Sequence, residues 1–159
     1  MKKHLRPLVP LALALAALSL IPAPSPARAD SPTLRVVAAS PQNVLRGAAR
    51  VFACRACAAG TLVRWIGHGG SLNLVIMAPT AGTYRVYVDY SSVHGDRVAY
   101  VRTDFDVPLS YTFPATKAWN ALGQRSFDAD LTAGVNHIAF ANAGGWCPDI
   151  SALTFTFLG

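Results

Sequence analysis

The chain contains no glutamate. All eight acidic residues are aspartate, and none lies between Asp30 and Asp89. Any chemistry that needs carboxylates must therefore draw on Asp89, Asp96, Asp104, Asp106, Asp128, Asp130 or Asp149. Asp104 and Asp106 could serve as a general acid and base, but two residues apart between strand-like runs they read as turn-formers. No Ser-His-Asp arrangement can be placed and no metal motif is assembled: His68, His94 and His137 stand in three different segments without ligand spacing. Basic runs are missing as well. The arginines at 35, 46, 50, 55, 64, 85, 97, 102 and 125 are scattered, so nucleic acid is not implied as a partner. Past the first thirty residues no stretch has a 3.6-residue apolar period, which excludes a helical core. Internal repeats and low-complexity linkers are also absent.

The first 29 residues carry the marks of an export signal. Lys2, Lys3 and Arg6 precede the apolar run Leu8 to Ile21, and a Pro-rich spacer leads to Ala27-Arg28-Ala29. Pro10 breaks the run and Pro22, Pro24 and Pro26 follow it, so cleavage after Ala29 is expected rather than a retained membrane span. The signal holds Lys2, Lys3, Arg6 and Arg28, four of the 14 basic residues. Without them ten basic residues face eight acidic ones, and the formal net charge falls from +6 to +2. Residues 30–159 are then one domain, large enough to bury a core. The protein is expected to be secreted and monomeric.

What is present is strand pattern. Leu34 to Ala38 reads as a first strand and Val44 to Ala53 as a second, with Gly47 as a bulge. Thr61 to Ile66 is short. Leu72, Leu74 and Ile76 alternate with polar or smaller neighbours, as do Tyr84, Val86, Val88 and Tyr90, and Pro79 to Gly82 would join these two as an antiparallel pair. Arg97 to Thr103, Val107 to Phe113, Arg125 to Leu131, Asn136 to Ala141 and Ile150 to Phe157 complete the set. About nine or ten short strands at regular spacing predict an all-β sandwich.

Three cysteines are an odd number for an exported chain. Cys54-x-x-Cys57 lacks a second ligand pair for zinc and a βαβ setting for redox work, which favours a local disulfide with Cys147 left as a buried thiol. Cys147 paired with Cys54 or Cys57 is the rival. The loop Asn142-Ala-Gly-Gly-Trp-Cys-Pro-Asp149 gathers an amide, an indole, a thiol and a carboxylate just before the last strand. It reads either as a functional loop or as a turn whose Trp146 caps the core.

The order of the pieces has its own meaning. Cys-x-x-Cys-x-x-Gly60, Val63-Arg-Trp-Ile-Gly67, Ala81-Gly-Thr-Tyr-Arg-Val-Tyr-Val-Asp-Tyr90, Phe113-Pro-Ala-Thr-x-x-Trp119, Leu131-x-Ala-Gly-Val-Asn136 and Asn142-x-x-Gly-Trp146-x-Pro-Asp-Ile150 follow one another. Together, from about Asn43 to Phe157, the chain resembles the carbohydrate-binding modules of families 35 and 6. The resemblance implies a jelly-roll β-sandwich of two antiparallel sheets, without catalytic activity, that binds polysaccharide or oligosaccharide at one end. It also implies a role for Trp65 and Trp119 as stacking platforms and for Asn142 as the amide that meets sugar hydroxyls, with Trp146 either in the cleft or in the core. Relatives commonly hold a structural calcium between a first-strand Glu and the Asp of the Pro-Asp-Ile element. Here Gln42 stands in the first-strand region, so a calcium site would rest on Asp149, Gln42 and carbonyl oxygens. The alternative to sugar binding is an extracellular protein-interaction or envelope-structural sandwich that has lost it.

Overall fold

The computed structural model describes residues 33–104 and 106–159. The segment expected to be an export signal, with its expected cleavage after Ala29, lies outside the described residues. Eleven strands run in sequence order: β1 (Thr33–Val37), β2 (Val44–Arg46), β3 (Arg50–Ala53), β4 (Thr61–Arg64), β5 (Ser71–Ala78), β6 (Gly82–Ser91), β7 (Arg97–Thr103), β8 (Leu109–Phe113), β9 (Gly123–Leu131), β10 (Gly134–Ala141) and β11 (Asp149–Phe157). They form two antiparallel sheets, one in the order β3-β4-β11-β6-β9 with β1 also on β11, the other in the order β2-β5-β10-β7-β8. This is the expected all-β jelly-roll sandwich.

Period-two patterning sets which side of each strand faces the interior. Leu72, Leu74 and Ile76 of β5, Tyr84, Val86 and Val88 of β6, and Ile138 and Phe140 of β10 are all wholly buried, and their alternate neighbours face outward. At the centre of the larger sheet, β11 is buried along most of its length because strands pair with both of its edges. On one edge of β11, Ile150 pairs with Val63 of β4 and from Ala152 onward β1 takes over; on the other edge a bulge at Ser151 shifts the register with β6.

Two expectations about pairing are overturned. The alternating runs in β5 and β6 are not a hairpin: β5 lies between β2 and β10 in one sheet, whereas β6 lies between β11 and β9 in the other. Pro79 to Gly82 is a crossover between layers, and the local pattern could not distinguish it from a turn within one. The run from Val44 to Ala53 is two strands rather than one. Gly47, with φ +60°, breaks it, and a Cβ there would lie 2.4 Å from the Gly69 carbonyl oxygen, so the chain can leave one sheet for the other only at a glycine. Asp104 and Asp106 do shape the β7–β8 connection: Asp104 Oδ1 accepts the His137 backbone N–H at 3.0 Å, and Asp106 accepts the Thr103 hydroxyl.

Candidate functional site

Three tryptophans from three separate connections meet at one end of the sandwich. Trp65 follows β4, Trp119 lies in the β8–β9 loop, and Trp146 lies in the β10–β11 loop. Each is exposed, by 46%, 41% and 40%. That corrects the core-capping role considered for Trp146. Large indoles that open to solvent side by side lose burial they could have had elsewhere.

Backbone geometry turns Trp65 outward. Leu62 and Val63 are buried, and the next alternation would place Trp65 beside the sheet. Instead Trp65 has φ +58°, a left-handed conformation that is a true outlier for a bulky residue and costs about 1–3 kcal/mol. Phe52 meets it edge-on, with ring centroids 4.7 Å apart. The Trp65 and Trp146 loops are then sewn together. Cys147 N–H donates to Ile66 O (2.7 Å), and His68 N–H donates to Asn142 O (2.8 Å) and Gly145 O (3.2 Å). Gly67, with φ +117°, sits so close to the second loop that a Cβ on it would be 2.1 Å from Gly145 O. The Trp119 loop is anchored on its own. Ala115 N–H donates to Asp96 Oδ1 (2.8 Å), Thr116 N–H to Ser92 O (2.8 Å), and Ser92 N–H to Thr116 Oγ1 (3.0 Å).

Between the indoles lies a cavity of about 220 Å³, lined also by Arg64, His94, Arg97 and Asp149. Asp149 is almost fully buried beneath it. Its Oδ2 accepts Arg64 Nε–H at 2.9 Å, and its Oδ1 lies 3.9 Å from Arg97 Nη1, which donates to Cys147 O at 2.9 Å. Burial pushes the Asp149 carboxyl above the ordinary carboxylate range, against the opposing pull of Arg64, Arg97 and His94. The arginines are thus held in place by a single acid, and two guanidinium groups share one carboxylate. Arg64 also lies over Trp119, with its guanidinium carbon 4.2 Å from the ring centroid, while His94 meets the same indole edge-on.

Of the residues the sequence singles out, Trp65, Trp119 and Trp146 come together around this cavity, with Asp149 at its base. Asn142 is not among the lining residues. Its Nδ2 donates to Val98 O (2.8 Å) and its Oδ1 accepts Gly144 N–H (3.1 Å), so its amide shapes the loop that carries Trp146. Cys54 and Cys57 are joined as a disulfide, and Cys147 is a buried free thiol whose pKa burial pushes up to about 12.

A calcium shell built on Asp149 and Gln42 does not fit these residues. Two guanidinium groups already face the Asp149 carboxylate and would repel a divalent cation placed beside it. Gln42 is exposed on the β1–β2 turn, where the neighbouring amide, Asn43, bonds to Val37 O and Ala38 O and accepts Val75 N–H.

Arg64, His94 and Arg97 were the residues sequence reasoning missed. Arg64 was visible only as the neighbour of Trp65, and a lone carboxylate before an apolar last strand was the one hint that buried counter-charges would gather around Asp149.

No protein-family model and no curated protein matches the chain. Solved structures do. A family 35 carbohydrate-binding module from Clostridium thermocellum superposes with a TM-score of 0.74 at 29% identity, covering 77% of this chain and 98% of that one. The chain has the fold of a family 35 carbohydrate-binding module. A second family 35 module, from Paenibacillus barcinonensis, matches this family 35-like domain at TM-score 0.71 and 20% identity over 79% of this chain and 99% of that one. An exo-β-1,3-galactanase from Phanerochaete chrysosporium, solved with β-1,3-galactotriose, matches at TM-score 0.71 and 16% identity. There the alignment spans 80% of this chain and 29% of the enzyme.

Proposed function

We propose that this protein is an exported, non-catalytic module that binds polysaccharide or oligosaccharide in the three-tryptophan cleft. The observation that carries the reading is the convergence of Trp65, Trp119 and Trp146, all exposed, around one cavity that also presents arginine and histidine donors. Pyranose rings have apolar C–H faces that stack on indoles, and their hydroxyls need donors and acceptors within hydrogen-bond reach. Trp65 and Trp146 supply the open ring faces. Trp119 and Arg64 act as one unit, the indole fixing the guanidinium that meets a hydroxyl oxygen. Asn142 supports the site through the Trp146 loop. The residues of the cleft that could move protons are Asp149, which is bound to arginines, and His94, and neither is paired with a nucleophile.

The test is retention of the domain spanning residues 30–159 on a panel of insoluble polysaccharides and a glycan array, with and without a chelator. Trp119→Ala should weaken binding to every retained glycan by about 2- to 5-fold, since it removes the cation–π contact, worth about 0.5–1 kcal/mol, that holds the Arg64 guanidinium in the cleft. Unchanged affinity in that variant would refute the site. Binding should persist in chelator, because the Asp149 carboxylate already serves Arg64 and Arg97; its loss would restore a calcium ligand role. No retention by any glycan would favour an extracellular interaction or envelope-structural role for the same sandwich.

A further inference from the structure

A second cavity, of about 250 Å³, lies next to the first. Arg64, Trp119 and Asp149 line both, and Cys54, Arg55, Leu62 and Asn120 belong to the second alone. The stacked guanidinium and indole are therefore a partition with a cavity on each side and the same buried carboxylate beneath. We propose that the second cavity is a subsite for the neighbouring sugar unit, so that the protein reads two consecutive residues of a glycan with the linkage passing the Arg64–Trp119 stack. This inference rests on the glycan-binding reading above.

Size is the first argument. Each cavity is smaller than the roughly 300–1,000 Å³ of sites that take drug-sized ligands, and the two together fall inside that range. Each suits one ring rather than two. The chemistry of the second cavity is the next argument. Leu62 and the Cys54–Cys57 disulfide form a small buried apolar cluster, flanked by Phe52 and Leu122, which gives that cavity an apolar wall. Arg55 and Asn120 are exposed at its rim, and among the described residues neither side chain has a hydrogen-bond or ion-pair partner. An apolar wall with unpaired donors and an amide at the rim is the arrangement that a ring with one C–H face and several hydroxyls requires.

Rigidity is the third argument. The turn that bears Cys54 and Arg55 is closed by the disulfide and by Cys54 N–H to Gly60 O (2.8 Å), Cys57 N–H to Cys54 O (3.2 Å) and Gly60 N–H to Cys57 O (2.8 Å). A short disulfide loop adds little entropy-based stability. It does hold the wall beside the partition at a fixed distance, and a pre-formed wall lowers the ordering cost of binding. Asp149 engages the Nε of Arg64 and the guanidinium lies over Trp119, while among the described residues its Nη groups make no hydrogen bond and can reach hydroxyls of the linked units.

Calorimetry on the domain with matched sugar series tests the proposal: galactose with β-1,3-galactobiose, xylose with xylobiose, and mannose with mannobiose. In a series that binds, the disaccharide should bind about tenfold or more tightly than its monosaccharide, an increment of about 1.4 kcal/mol. The double variant Arg55→Ala with Asn120→Ala should bring the disaccharide-to-monosaccharide affinity ratio towards one. Both residues are exposed, so the folded state should survive, which circular dichroism checks. Equal affinities for mono- and disaccharide, or a ratio that the double variant leaves intact, would overturn the second subsite while leaving the cleft itself in place. Binding of no sugar in any series would overturn the glycan-binding reading and the subsite with it.

Discussion

Replacing Gly67 with alanine puts a methyl group where the second tryptophan loop already is. A Cβ at Gly67 would lie 2.1 Å from Gly145 O and 2.9 Å from Trp146 Cα, both backbone atoms that no rotamer change can move. Gly69, two residues on, provides an internal control: its φ is also positive, at +86°, but a Cβ there meets nothing within 4 Å. Alanine at either position forces an unfavourable backbone angle, at about 1–3 kcal/mol. Only at Gly67 must the two loops also part. Two N–H groups bond across them: His68, to Asn142 O at 2.8 Å and Gly145 O at 3.2 Å, and Cys147, to Ile66 O at 2.7 Å. At about 1 kcal/mol net for each, Gly67→Ala should be less stable than Gly69→Ala by about 2 kcal/mol. With an m value of about 1–3 kcal/mol/M in urea, the two midpoints should differ by about 1 M. Sugar affinity should follow the same order, because parting the loops separates Trp65 from Trp146. Equal urea midpoints for the two variants would show that the loops are not coupled in this way. A destabilised Gly67→Ala that binds as well as the unmodified protein would show that the cleft does not depend on their contact.

Acid should affect binding through Asp149. Its carboxyl is raised by burial, so on acidification it takes up a proton before an ordinary aspartate would, releasing Arg64 and Arg97 and weakening sugar binding; Asp149→Asn should abolish that part of the pH profile. The linkage to stability has the opposite sense: the folded state holds this proton more tightly than the unfolded chain, so the Asp149 contribution to stability is greatest at low pH and declines as pH rises from the unfolded to the folded pKa, which urea titrations of the protein and Asp149→Asn would reveal. Cys147 is 1% exposed with its pKa pushed up to about 12, so a thiol reagent at mildly alkaline pH should leave the native protein untouched and label one cysteine per chain only after unfolding. A non-reducing digest should then place the label on Cys147 and recover Cys54 and Cys57 linked; a label on Cys54 or Cys57 would refute the pairing.

Much of the framework was visible in the chain. Alternation marks β5, β6, β9 and β10, since a residue that must face an apolar interior on every second position can be recognised without knowing what it faces. The C-x-x-C disulfide could be reached from spacing and an expected oxidising compartment. Pairing was harder. The β5 and β6 runs have the same local pattern whether they share a sheet or not, and their true neighbours, β2 and β10 for one and β9 and β11 for the other, stand dozens of residues away. Trp146 illustrates the same limit in the site: flanked by Gly145 and Cys147, it gives no local sign of facing solvent or core. Its exposure follows from the contact of its loop with Gly67.

The sequence by itself determined the all-β character, the positions of most strands, and the candidacy of Trp65 and Trp119. Those properties are local, being encoded in period, turn residues and residue type. Only the tertiary structure decided which strands share a sheet, that three indoles open onto one cavity, and that Asp149 is committed to two arginines. Arg64 and Asp149 stand 85 positions apart, yet they meet at 2.9 Å because β4 and β11 are neighbours in the larger sheet. Contacts of that span depend on the packing of the two layers, and no window of the chain contains them.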